Sequence, residues 1–132
     1  MARGEPVRRL HDGFVPGRFA VDAYGRGGFR FAEMSHQGSI LALPSGIHAW
    51  DARTPADFTP EAFAKVIAEH DAIDVLLVGA GDVPVPMADA VRWVLRNAGI
   101  GVDVMTTGAA ARTYNVMVAE GRRVAAALIA VD

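Results

Sequence analysis

The chain contains no cysteine, which excludes disulfides, thiolate nucleophiles, iron–sulfur clusters and cysteine-based zinc sites together. Lysine is nearly absent too: Lys65 stands alone beside twelve arginines, and the formal charge is −2. That balance argues against nucleic-acid binding and against attraction to an anionic membrane, both of which need a clustered positive surface. The arginine and alanine bias reads as the mark of a GC-rich genome rather than of phosphate recognition. No apolar run approaches the roughly 20 residues that span a bilayer, so direct membrane insertion is not expected. Arg3, Arg8, Arg9 and Arg18 are interrupted by Glu5 and Asp12 with no apolar stretch behind them, which excludes a secretory signal and points to a cytoplasmic bacterial protein.

Chemistry-bearing residues are also thinly spread. His11, His36, His48 and His70 have no ligand spacing among themselves or with carboxylates, so no metal is expected. There is no Gly-x-Ser-x-Gly elbow, and Ser35 and His36 are merely adjacent in a polar stretch. No catalytic residue and no cofactor are assigned on this basis.

What is present is a chain of 132 residues, the length of one domain able to bury roughly two thirds of its unfolded surface. Residues 1–20, with Pro6, Gly13, Pro16 and Gly17, read as a loosely ordered N-terminal arm, and residues 21–132 as the domain. Val21–Tyr24 and Phe29–Met34 flank the turn Gly25–Gly28, and Ser35–Gly38 reads as a second polar turn. Ser39–Leu43 and Gly46–Trp50 follow as strands broken at Pro44, completing an antiparallel meander. Thr59 and Pro60 then open a helix in which Phe58 staples to Phe63, with Phe63, Val66, Ile67 and His70 inward and Lys65 and Glu69 as a solvated pair. Ile73–Val78 is a continuous apolar run, the pattern of a strand covered on both faces. A second helix follows Pro86 and stops at Gly99, a strand runs over 102–105, a third helix over 109–120, and a last strand over 124–131. The expected fold is therefore α/β: one compact domain with a mixed sheet, an N-terminal meander and a C-terminal β-α-β-α-β unit joined by parallel crossovers.

Two short segments present polar groups at strand ends. Gly79-Ala-Gly-Asp82 follows a buried strand, so Gly79 and Gly81 let a ligand approach the backbone, and Asp82 sits where open α/β sheets place their sites. Pro84 and Pro86 remove amide donors that a pyrophosphate would need, and a plain strand-to-helix turn is the competing reading. Arg112 and Asn115 share one side of the third helix, opposite Ala110, Tyr114, Met117 and Val118. A cation early in a helix calls for an anionic partner, either Asp82 or Asp103 internally or a ligand anion with Asn115 as co-ligand. Trp93 lies opposite the stripe of Met87, Val91 and Leu95, which makes it either a surface anchor or a residue covered by another segment. Trp50 reads as core.

Six blocks in order, Tyr24-Gly-Arg-Gly-Gly-Phe29, Gly38-Ser-Ile-Leu41, Leu76-Leu-Val-Gly-Ala-Gly81, Gly99-Ile-Gly-Val102 with Met105, Arg112-Thr-Tyr-Asn115, and Glu120-Gly-Arg122 with Ala125-Ala-Ala-Leu128, resemble the family of Mth-type domains. That family includes a mitochondrial complex I assembly factor and an adipogenesis-associated protein. The resemblance covers the chain from about Val21 onward and implies a compact mixed-sheet α/β fold without an assigned reaction. It implies ligand-facing blocks at Gly79, Gly81 and Asp82 and at Arg112, Thr113 and Asn115, and the residues themselves offer Trp93 and Tyr114 as interface anchors. It further implies a protein partner, such as subunits of a respiratory or membrane complex, and admits a homo-oligomer. A small-molecule or anion-binding enzyme using the cleft near Asp82 and Arg112 is the alternative.

Overall fold

A computed structural model of the chain describes residues 13–132; the first part of the expected arm, with His11, lies outside the described residues. Among the described residues nine strands form two sheets, accompanied by three α-helices and short 3-10 turns. Strands β5 (Ser39–Leu43), β7 (Val75–Gly79) and β9 (Val124–Leu128) carry the three longest apolar patterns. Their side chains alternate between the faces of one sheet: Leu41, Leu43, Leu76, Val78, Ala125 and Ala127 enter one core, and Ile40, Ala42, Leu77, Val124, Ala126 and Leu128 enter the other. Burial on both faces is what makes these the interior strands.

The six-stranded sheet runs β1-β6-β5-β9-β7-β8. β1 (Phe14–Pro16) lies within the expected arm, where it pairs antiparallel with β6 (Gly46–Trp50) at one edge. β8 (Gly101–Met105) forms the other edge, parallel to β7. β9 is parallel to β7 and antiparallel to β5, so it welds the meander to the α/β unit. The mixed sheet and the β-α-β-α-β unit are as expected, but the meander is not continuous. β2 (Ala23–Gly25), β3 (Gly28–Phe31) and β4 (Met34–Gln37) form a separate antiparallel sheet. The expected polar turn at 35–38 is in fact β4. The chain reverses earlier, at Ala32-Glu33, where both residues adopt left-handed φ angles of 50° and 61° without the glycine or asparagine that usually announces such a turn.

One face of the main sheet is covered by α1 (Ala64–Ala68), α2 (Asp89–Asn97) and the aromatic trio Trp50, Phe58 and Phe63, with ring centroids 5.5–5.7 Å apart. Thr59 Oγ1 accepts the Ala62 amide at 3.2 Å, and Phe58 meets Phe63, so the helix opens as its cap and staple require. It is shorter than expected: α1 ends at Ala68, which leaves His70 exposed beside Asp71. Trp50 is core, its Nε1 donating to the Ala62 carbonyl at 2.8 Å. The other face holds α3 (Thr107–Ala119) and the inner side of the small sheet, packed through Phe29, Phe31, Ala110, Ala111 and Tyr114. α3 begins two residues before the expected position because Thr106 caps it, accepting the Ala109 amide.

Candidate functional site

At the C-terminal ends of β7, β8 and β9, the loops close on one another. The Thr107 side chain is fully buried there: its Oγ1 donates to the Ile129 carbonyl at 2.7 Å and accepts the Gly81 amide at 3.0 Å. Main-chain bonds complete the closure, from Thr107 N to Gly81 O, Ala80 N to Met105 O and Ile129 N to Gly79 O, each 2.9 Å. Gly79 must be glycine, because a Cβ there would stand 2.8 Å from Thr107 Cα. Both main-chain groups of Gly81 are thus consumed by Thr107, whereas a phosphate-cradling turn holds its amides ready for the ligand. Asp82 follows in the open, exposed and without an ion pair among the described residues.

The second expected block has other partners. Asn115 bonds to both main-chain groups of Val21, its Oδ1 accepting from N and its Nδ2 donating to O, each at 2.8 Å. It therefore serves as a side-chain strand partner that fastens the entry to β2 onto α3. Arg112 is exposed and forms no clamp with Asp82 or Asp103; its Nη1 donates instead to the Tyr24 hydroxyl at 3.3 Å. That hydroxyl lies on Gly108, where a Cβ would come within 2.3 Å of it. Thr113 is half-buried on the same helix. The Tyr114 interface role needs correction: Tyr114 is 1% exposed, sits in the core between α3 and the sheet, and burial pushes its phenol pKa up. Periodicity puts it on the apolar side of α3, and that side faces inward. Trp93 is 64% exposed on α2, so no segment of the described chain covers it.

Packing also assembles a cluster that spacing along the chain did not reveal. Ser45 Oγ lies 3.1 Å from His48 Nε2 and donates to Glu69 Oε2 at 2.5 Å, while the Ser45 amide donates to Glu69 Oε1 at 2.9 Å. Glu69 is therefore not the solvated partner of Lys65. A serine–histidine–acid triad places its carboxylate on the far ring nitrogen and leaves the hydroxyl free to attack. Here the carboxylate takes both the hydroxyl and the neighbouring amide, which ties the β5–β6 turn to α1. Burial, with Lys65 nearby, lowers the His48 pKa, and Glu69 offsets this in part. Among the described residues no group of three or more His, Asp or Glu side chains is arranged to hold a metal ion, and no helix is long and apolar enough to cross a membrane.

Residues 21–129 match the model of a protein family of unknown function, DUF498/DUF598. The chain belongs to this family. It is 36% identical to an uncharacterized protein of Rhodobacter capsulatus over 113 residues, 86% of each chain. It is 30% identical to the human NADH dehydrogenase [ubiquinone] 1 alpha subcomplex assembly factor 3 over 109 residues, 83% of this chain but 59% of that protein. A crystal structure described as an outer membrane protein from Bartonella henselae superposes with a TM-score of 0.86 at 50% identity, covering 89% of this chain and 98% of that one. A Mth938-like domain from Bordetella pertussis, solved by NMR, gives 0.75 at 30% identity and 85% coverage of both. The resemblance to Mth-type domains and the mixed α/β fold are thereby established.

Proposed function

We propose that this protein works by binding another protein and supports the assembly of a respiratory or other membrane complex, acting from the cytoplasm rather than turning over a substrate. The observation that carries this reading is the shared sequence with the assembly factor over 83% of the chain. The geometry supports it in one respect: the strand ends where α/β enzymes gather their reactive groups are here tied by Thr107 into internal hydrogen bonds. Trp93, large, aromatic and exposed, is the anchor offered to the partner. Self-association through the same surface belongs to this reading as an alternative use of it. Deleting the gene in its native host and quantifying assembled NADH dehydrogenase tests the proposal. The expected outcome is a lowered level of complex, restored by the wild-type gene and less well by Trp93→Ala. Normal assembly under respiratory growth overturns it.

A further inference from the structure

No segment among the described residues covers the outer side of the small sheet, where Ala23, Arg30 and Gln37 are exposed. In β2, β3 and β4, Phe29 and His36 are buried, with the exposed Tyr24 in the same row reaching Arg112 of α3, and the rows Ala23, Arg30, Ser35 and Gly25, Gly28, Gln37 alternate onto the other face. These outward residues border a cleft of about 370 Å³, near the lower end of the range for small-molecule sites, about 300–1,000 Å³. Its floor is built from Ala23, Gly25 and Gly28. Gly28 admits no side chain, since a Cβ there would stand 2.2 Å from the His36 carbonyl oxygen of β4. Two arginines flank this floor. Arg30 donates to Ser35 Oγ at 2.9 Å, and Arg26 projects from the β2–β3 turn. Among the described residues neither is paired with a carboxylate, and no Asp or Glu lines the cleft.

Another arginine-lined cleft uses its guanidinium groups differently. Near the N-terminal ends of β7 and β9 in the six-stranded sheet, a larger cleft of about 550 Å³ contains Arg18, Arg122 and Arg123. There Arg18 donates to the carbonyls of Arg122 and Val124, Arg123 meets Asp74 and the Asp71 carbonyl, and Arg122 meets Glu120. Those guanidinium groups are committed to the fold. Arg26 has no such bond and Arg30 donates only to the Ser35 hydroxyl, so that with the amide of Gln37 they form a donor set with no acceptor of matching charge among the described residues.

We infer that this cleft binds a small oxyanion, a carboxylate or phosphate group on a compact molecule, held between the guanidinium groups of Arg26 and Arg30 above the Ala23-Gly25-Gly28 floor. Guanidinium forks suit such groups because their paired N–H donors match two oxygens at once. The site is separate from the Trp93 surface and does not depend on the assembly reading.

Arg26 offers an unusual test. It occupies the first position of a two-residue turn with φ 53°, a conformation that glycine adopts without cost. Arg26→Gly should therefore raise the melting temperature while removing half of the anion clamp, so lost binding cannot be blamed on a damaged fold. The experiment titrates the 15N-labelled protein with inorganic phosphate and, separately, with citrate at fixed ionic strength, following amide chemical shifts in the wild type, Arg26→Gly and Arg30→Gln. The expected result is a saturable shift confined to residues 23–30 and 35–37 for at least one anion, with affinity lowered about tenfold in each variant. The anion that saturates identifies whether the site prefers carboxylate or phosphate. Absence of saturation with both, equal binding by the variants, or shifts of the same size around Arg18, Arg122 and Arg123 would overturn the site.

Discussion

The C-terminal ends of the parallel strands and the outer face of the small sheet treat polar groups in opposite ways. At the strand ends, the amides of Ala80, Gly81, Thr107 and Ile129 all have internal acceptors, and the one hydroxyl among them is buried. On the small sheet, arginines flank a glycine floor and carry no carboxylate partner among the described residues. The lesson is that position in an α/β fold does not by itself make a site. Donors matter only when the fold has not already used them.

Both regions rest on β7, so the largest effect should come from breaking it. Leu77 is 2% exposed and faces the core shared by α3 and the small sheet. Leu77→Asp removes that packing and buries an unpaired carboxylate, a combined cost of about 5 kcal/mol or more, comparable with the whole stability of a small domain. Circular dichroism and solubility should show an unfolded product; a soluble variant with cooperative unfolding would show that β7 does not support the two regions.

Thr107→Val sharpens the contrast at the closed end. It keeps the shape but removes the acceptor of the Gly81 amide and the donor to Ile129, and is expected to cost about 2–3 kcal/mol in denaturant unfolding. Thr107→Ser, which retains the hydroxyl, should recover most of this. A similar loss in both variants would locate the contribution of Thr107 in its methyl group instead.

The Ser45–His48–Glu69 cluster yields a smaller effect with a definite pH sign. His48 has its pKa lowered in the folded protein, so the unfolded chain takes up the proton first as pH falls. Its contribution is complete above the ordinary histidine range, near 6.5, and is lost as pH drops from there through the lower folded value. His48→Phe should flatten that part of the stability profile. An unchanged slope in the variant would assign the acid sensitivity to other groups. Glu69→Ala, which frees the Ser45 hydroxyl and amide, should cost about 1 kcal/mol.

The smallest expected change in stability is at Trp93, where substitution by alanine should stay within about 0.5 kcal/mol because the ring is exposed. Its effect should appear instead as weaker capture of the partner. A large stability loss would mean that Trp93 is a structural residue.

Much of the fold was legible in the chain because β5, β7 and β9 are buried on both faces, and apolar continuity records that directly. The place of β9 between β5 and β7 was not, since sheet order is set by pairing between segments far apart in sequence. β4 was hidden by a turn built from Ala32 and Glu33, and β1 by its three-residue length among prolines and glycines. The candidate site was legible only in outline. Gly79 and Gly81 stand at the expected strand end and Asn115 on the expected helix, but the hydrogen-bond partners of Gly81 and Asn115, Thr107 and Val21, come from across the fold. A third helix expected from Ala109 places Thr107 in a loop, where an inward hydroxyl has no meaning; its actual start at Thr107 gives it one. Tyr114 shows the converse: it lies on the expected apolar side of α3, and burial there excludes the expected surface role.

The central structural claim, that the C-terminal ends of β7–β9 are closed by Thr107, is tested most directly by amide hydrogen exchange at Gly81 in the wild-type protein. If the closure holds, the Gly81 amide exchanges only through large-scale opening, with protection close to that of the β7 core and lost selectively in Thr107→Val. Rapid exchange of Gly81 in an otherwise protected wild-type fold would mean that this edge is open, and would return the glycine loop and Asp82 to consideration as a ligand site.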